Sequence, residues 1–98
     1  MAEPSRKVLR IVVAGRVQGV GFRAFLAREA TRLGLAGWAR NRGRDEVEAL
    51  VAGESAALAQ FAELARRGPT LARVDSYREE AVESENSIGA SFIVAPSV

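Results

Sequence analysis

An α+β sandwich of the split βαβ type is the fold class that this sequence predicts. Three observations carry the prediction. Period-two patterns over residues 8–14 and 46–52 have the spacing of half-buried strands, and residues 37–41 read as a strand between them. Apolar residues recur at helical spacing over residues 22–33 and again over residues 55–67. The order along the chain is β-α-β-β-α-β with a short strand at the end, and two helices on one face of the sheet is the economical packing.

Each element has its own signal. Leu9, Ile11 and Val13 alternate with Arg10 and Val12, which gives the first strand one well-buried face. Phe22, Phe25, Leu26, Ala30 and Leu33 form the stripe of the first helix, and Gly34 suits the position just past its end. Residues 37–41 make a second strand, and Val47, Ala49 and Val51 alternating with Glu46 and Glu48 make a third. Arg42, Gly43, Arg44 and Asp45 are turn material, so these two strands form an antiparallel hairpin. Ser55 is placed to cap a second helix striped by Leu58, Phe61, Leu64 and Ala65, and Gly68-Pro69 ends it. Residues 74–82 read as a fourth strand at a sheet edge, residues 83–89 as a polar, mobile connection, and residues 92–94 as a short final strand. Residues 1–6 read as a flexible tail and residues 7–98 as one domain.

Composition narrows the function. At 98 residues and 48% hydrophobic, the chain holds one small packed core. No run is long enough to span a membrane, and the first residues lack the apolar centre of a signal peptide. With no cysteine, a cytoplasmic chain without disulfides or thiolate chemistry is expected. With no histidine, a Ser-His triad or a histidine-ligated zinc is excluded by inventory. The net charge of +2 hides an asymmetry: residues 1–49 carry 10 basic and 5 acidic groups, residues 50–98 carry 4 and 7. The basic half favours an anionic ligand, yet no dense basic block points to nucleic acid.

The most informative stretch lies in that half. Residues 15–23 read Gly-Arg-Val-Gln-Gly-Val-Gly-Phe-Arg, between the first strand and the first helix, with no acidic residue. Glycines allow backbone N–H groups to crowd around an anion, and the helix N-terminus adds unpaired N–H groups and partial positive charge. Arg23 falls in the first turn of the helix, where it can grip a bound anion at two points. The chemical reading is a cradle for one phosphate-sized group. Strands one and two run in the same direction because a helix crosses between them, so their ends share one rim of the sheet. Asn41 ends strand two and meets the loop there.

Rival readings of the glycines fit less well. Gly19 to Ala24 also fills a dinucleotide pattern, but that fold needs further parallel units and an acidic residue where Asn41 stands. An RNA-recognition motif shares the element order but needs aromatics on the third strand, which has none. No Lys-Ser/Thr follows the glycines as a Walker loop requires.

The same nine residues resemble the first signature of the acylphosphatase family, Gly-x-Val-Gln-Gly-Val-x-Phe-Arg, at Gly15, Val17, Gln18, Gly19, Val20, Phe22 and Arg23. The second signature, Gly-aromatic-x-x-Asn-x-x-x-Gly-x-Val, is similar at Gly37, Trp38, Asn41 and Val47, with Asp45 in place of its second glycine. Asp45 tolerates the left-handed backbone such a turn wants, and Gly43 is placed to take over part of the task. The resemblance spans roughly residues 8–95 and implies a small freestanding member. The fold is then a ferredoxin-like split βαβ sandwich, βαββαβ plus a short C-terminal strand, with an antiparallel-type mixed sheet. The activity implied is hydrolysis of the carboxyl-phosphate bond of acyl phosphates to a carboxylate and inorganic phosphate. The resemblance gives Arg23 the phosphoryl group and Asn41 the attacking water. It gives the cradle to the backbone amides of Arg16, Val17, Gln18, Gly19, Val20 and Gly21. It implies no cofactor and no metal, and a monomer whose partners are a small acyl phosphate and the phosphate product.

Elementary chemistry agrees. Phosphoryl transfer is mostly positioning and electrostatics. The leaving carboxylate has a conjugate acid with a pKa of about 4 and departs without protonation. A chain lacking His, Cys and a carboxylate dyad suits this reaction. Trp38 is assigned to packing, and Phe22, Phe25 and Phe61 to the core. The Gln18 side chain fits either bracing of the loop or contact with ligand. The alternative function is a non-catalytic α/β module that binds an anion or a protein partner.

Overall fold

The computed structural model describes residues 6–83 and 86–98. The expected tail over residues 1–6 therefore lies outside the described residues apart from Arg6, as do residues 84 and 85 of the polar connection. The elements are β1 (Lys7–Arg16), α1 (Phe22–Arg32), β2 (Ala36–Arg42), β3 (Glu46–Gly53), α2 (Ser55–Arg67), β4 (Arg73–Val82) and β5 (Phe92–Val94). The sheet order is β4-β1-β3-β2-β5. β3 is antiparallel to both β1 and β2, so β1 and β2 run the same way without being neighbours. β4 pairs antiparallel with β1 at one edge, and β5 pairs parallel with β2 at the other. The expected α+β split βαβ order is the observed one.

The core lies between one sheet face and the two helices. Ile11, Val13, Ala39, Val47, Ala49 and Val51 line the sheet side, each at most 1% exposed. Phe22, Leu26 and Ala30 of α1 and Leu58, Phe61, Ala62 and Ala65 of α2 close over them. Phe61 stacks obliquely on Phe92, 5.8 Å between ring centres, which ties the short β5 to α2. α1 ends as expected at Gly34: the Gly34 N–H donates to the Thr31 carbonyl and the Leu35 N–H to the Ala30 carbonyl, a Schellman motif.

One local expectation is corrected. Ser55 is the first helical residue of α2, not its cap; Glu54 occupies the cap position with extended backbone and no side-chain bond. Its carbonyl takes the first helical hydrogen bond, from the Leu58 N–H at 2.9 Å. Glu48 sits on the face opposite the helices, as its alternation requires, yet is only 4% exposed. β3 is the central strand, and arginines from its neighbours reach across it. Arg40 Nε lies 2.8 Å and Arg10 Nε 3.2 Å from the Glu48 carboxylate. The Arg40 guanidinium also covers the Trp38 ring at 4.6 Å, while the indole N–H donates to Ser87 Oγ at 2.9 Å. Trp38 is thus a packing residue on the second face. No helix among the described residues is long and apolar enough to cross a membrane.

Candidate active site

The rim of the sheet where β1 and β2 end carries the site. β1 leaves β3 at Ala14, and a register shift at Gly15 sends the Gly15 N–H to the Asp45 carbonyl at 3.0 Å. Gly15 and Arg16 stay in the sheet, paired with Val74 and Arg73 of β4. The loop proper is therefore shorter than its motif, residues 17–21. Val17 is fully buried and anchors it to the core. Val20 packs against the same core, half-buried.

Gly19 and Gly21 hold φ of +74° and +78°, with nothing within 4 Å of where a Cβ would stand. Backbone conformation, not crowding, requires glycine there. Gly21 is the residue before α1 and offers no side-chain cap. The first bond of the helix runs from the Phe25 N–H to the Gly21 carbonyl, so the N–H groups of Phe22, Arg23 and Ala24 have no partner within it. With no acidic residue in that turn, the positive end of the helix stays uncompensated.

Arg23, the second residue of α1, is half-buried. Its Nη1 donates to the Ala95 carbonyl at 3.3 Å, and among the described residues it pairs with no carboxylate. Arg73 on the same rim differs. The hydrogen bond from its Nε to Asp75, at 3.0 Å, is the main cause that raises its pKa and commits its charge. Asn41 is the next-to-last residue of β2, in register with Val47. Its side chain makes no hydrogen bond among the described residues. A cavity of about 190 Å³ is lined by Val17, Gly19, Gly21, Arg23, Asn41 and Val94, together with Phe22 and Ala24. Arg23 and Asn41, 18 positions apart in sequence, thus face one small space at a helix N-terminus. A larger groove of about 600 Å³ lies between α2 and the first residues of β1, remote from the loop. The small one offers an arginine and a helix N-terminus to an anion.

Arg16, Gln18 and Val20 do not line the cavity. Gln18 braces it instead: its Nε2 donates to the carbonyls of Gly43 and Glu46, both at 3.0 Å. That ties the glycine loop to the β2–β3 turn. Gly43, at φ +61°, supplies the left-handed residue of that turn; Asp45 does not adopt that conformation. Gln18→Ala is expected to lower stability by about 1 kcal/mol, the net worth of such bonds. Thermal melting should show a fall of roughly 4–8 °C for a domain of this size. Gln18→Glu should melt lower still, because a carboxylate facing two carbonyls cannot donate. Two contributors escaped the sequence. Val94 was read only as part of a short strand, and the Ala95 carbonyl has no signature, because every residue carries one.

Among the described residues no cluster of three or more His, Cys, Asp or Glu side chains is placed to hold a metal ion. The family model for acylphosphatase matches residues 9–94. The chain is 48% identical over 95 residues to an acylphosphatase of Nitrobacter hamburgensis, covering 93% of this chain and 96% of that one. The crystal structure of acylphosphatase from Bacillus subtilis superposes with a TM-score of 0.84 at 37% identity, over 91% of this chain and 98% of that one. Full-length HypF contains a similar unit, TM-score 0.87 at 27% identity, over 98% of this chain but only 12% of HypF. With a family model matched over most of its length and a relative this similar end to end, the chain belongs to the acylphosphatase family.

Proposed function

We propose that this chain hydrolyses the carboxyl-phosphate bond of acyl phosphates through the rim cavity. The observation that carries the reading is the convergence of Arg23, Asn41 and the unpaired first turn of α1 on one small space. The guanidinium of Arg23 holds two phosphoryl oxygens. The backbone N–H groups of Val17, Gly19 and Gly21, with those opening α1, receive the rest of the negative charge. The amide of Asn41 orients a water in line with the leaving oxygen.

The chemistry then balances with few groups. The water oxygen forms the new bond to phosphorus, and the bond to the acyl oxygen breaks with its electron pair. The carboxylate leaves unprotonated, and the water's proton passes to a phosphoryl oxygen of the substrate. No protein base and no metal is required, because the leaving group is good and the transition state is loose. The cysteine-free composition supports a cytoplasmic setting, and a single compact domain acts most simply as a monomer.

Phosphate release from benzoyl phosphate tests the reading, with and without a chelator. Turnover unchanged by chelator is expected. Activity lost to chelator and restored by a divalent ion would overturn the metal-free mechanism. No turnover, with phosphate binding retained, would identify a non-catalytic anion-binding module.

A further inference from the structure

Beyond β5 the chain continues along the outer edge of β2, and residues 95–98 reach the site through four hydrogen bonds. The Ala95 N–H donates to the Ala39 carbonyl at 2.8 Å, and the Ala95 carbonyl accepts Arg23 Nη1 at 3.3 Å. The Val98 N–H donates to the Asn41 carbonyl at 2.9 Å, and the Val98 carbonyl accepts the Gly43 N–H at 3.0 Å. We infer that residues 95–98 are a positioning strap, which sets the direction of Arg23 and fixes the strand end that carries Asn41. The inference rests on the hydrolase reading above.

The choice of partner for Arg23 is the first argument. A free arginine carries about 2 kcal/mol of rotamer entropy, so an unheld guanidinium would seldom point at the cavity. A carboxylate would hold it and also neutralise it, as Glu48 does for Arg40 and Asp75 for Arg73. The Ala95 carbonyl is neutral. It takes one of five N–H donors and leaves the full charge and the remaining donors for a phosphoryl group.

The second argument concerns Asn41. β5 covers β2 only from Gly37 to Ala39. Past that point the outer side of β2 would be an unpaired strand end, and such ends open at little free-energy cost. Val98 supplies the missing partner, so Asn41 is held between Val47 on one side and Val98 on the other. Gly43 completes the frame, because its N–H meets Val98 and its carbonyl meets Gln18. Strap, turn and glycine loop then form one hydrogen-bonded ring about the cavity.

Val98→Pro removes the N–H that holds Asn41. The kcat for benzoyl phosphate is expected to fall roughly tenfold, short of the ~100-fold that a 1 Å misplacement can cause. Inhibition by inorganic phosphate, which relies on Arg23 and the loop, should stay within about twofold. Val98→Ala keeps the amide and should retain at least about five times the kcat of the proline variant. A chain ending at Val94 also frees Arg23, and should weaken phosphate inhibition as well as kcat. If Val98→Pro does not fold, an amide-to-ester replacement at residue 98 removes the same N–H with little change in shape.

Equal losses in Val98→Pro and Val98→Ala, with kcat, KM and melting temperature worsening together, would overturn the strap in favour of simple structural support. Wild-type kcat in Val98→Pro or the ester would overturn it too, provided Asn41→Ala is impaired. An Asn41→Ala variant with normal kcat, KM and phosphate inhibition would instead refute the site assignment itself, and the strap with it.

Discussion

Arg23→Ala is expected to lower kcat/KM for an acyl phosphate by about 10³-fold, the upper range for loss of a preorganised donor to developing charge. The side chain is half-buried, unpaired by any carboxylate among the described residues, and directed at the cavity by one neutral carbonyl. Its charge is therefore available to a phosphoryl group. Phosphate inhibition should weaken roughly 10–100-fold, equivalent to the 1.5–3 kcal/mol of a hydrogen bond to a charged group. Arg23→Lys should recover less than about tenfold of the lost activity. An ammonium can reach Ala95 or the phosphoryl group, but it cannot present a planar fork to one while bonding the other. Steady-state kinetics with phosphate as inhibitor check both variants. Near-wild-type kinetics in Arg23→Lys would show that only positive charge is needed there.

Asn41→Ala should lower kcat by roughly 10²-fold and leave phosphate inhibition almost unchanged. The side chain lines the cavity but bonds to nothing among the described residues, so it is free for a water. Its backbone partners, Val47 and Val98, do not depend on the side chain. Melting should therefore shift little, within the range of substitutions away from buried networks. A raised KM and phosphate inhibition constant with kcat intact would make Asn41 a ligand-binding residue. A large fall in melting temperature would make it a turn residue.

The fold was legible because its signals are local. Alternation set the strands to within two or three residues, and the helical stripe of Phe22, Leu26 and Ala30 set α1. Where the sequence reading missed, a tertiary neighbour had intervened. β1 runs two residues past its apolar pattern because β4 continues to pair with Gly15 and Arg16. Glu48 is buried because arginines on two flanking strands close over it. Ser55 lost the cap position to Glu54, a choice of one residue that composition alone does not resolve.

The glycine loop, the arginine in the first turn of a helix, the asparagine at a strand end and the element order that puts them on one rim are all readable from the residues. All four follow from side-chain identity and spacing, which control backbone conformation over a few residues. What holds them there emerged from the packed chain. Gln18 proved to brace the β2–β3 turn, Gly43 rather than Asp45 took the left-handed position, and Ala95 and Val98 brought main-chain groups to Arg23 and Asn41. Every residue but proline carries the same N–H and carbonyl, so the sequence does not mark which of them meet. That is fixed by sheet order and register, which bring residues 95–98 alongside β2.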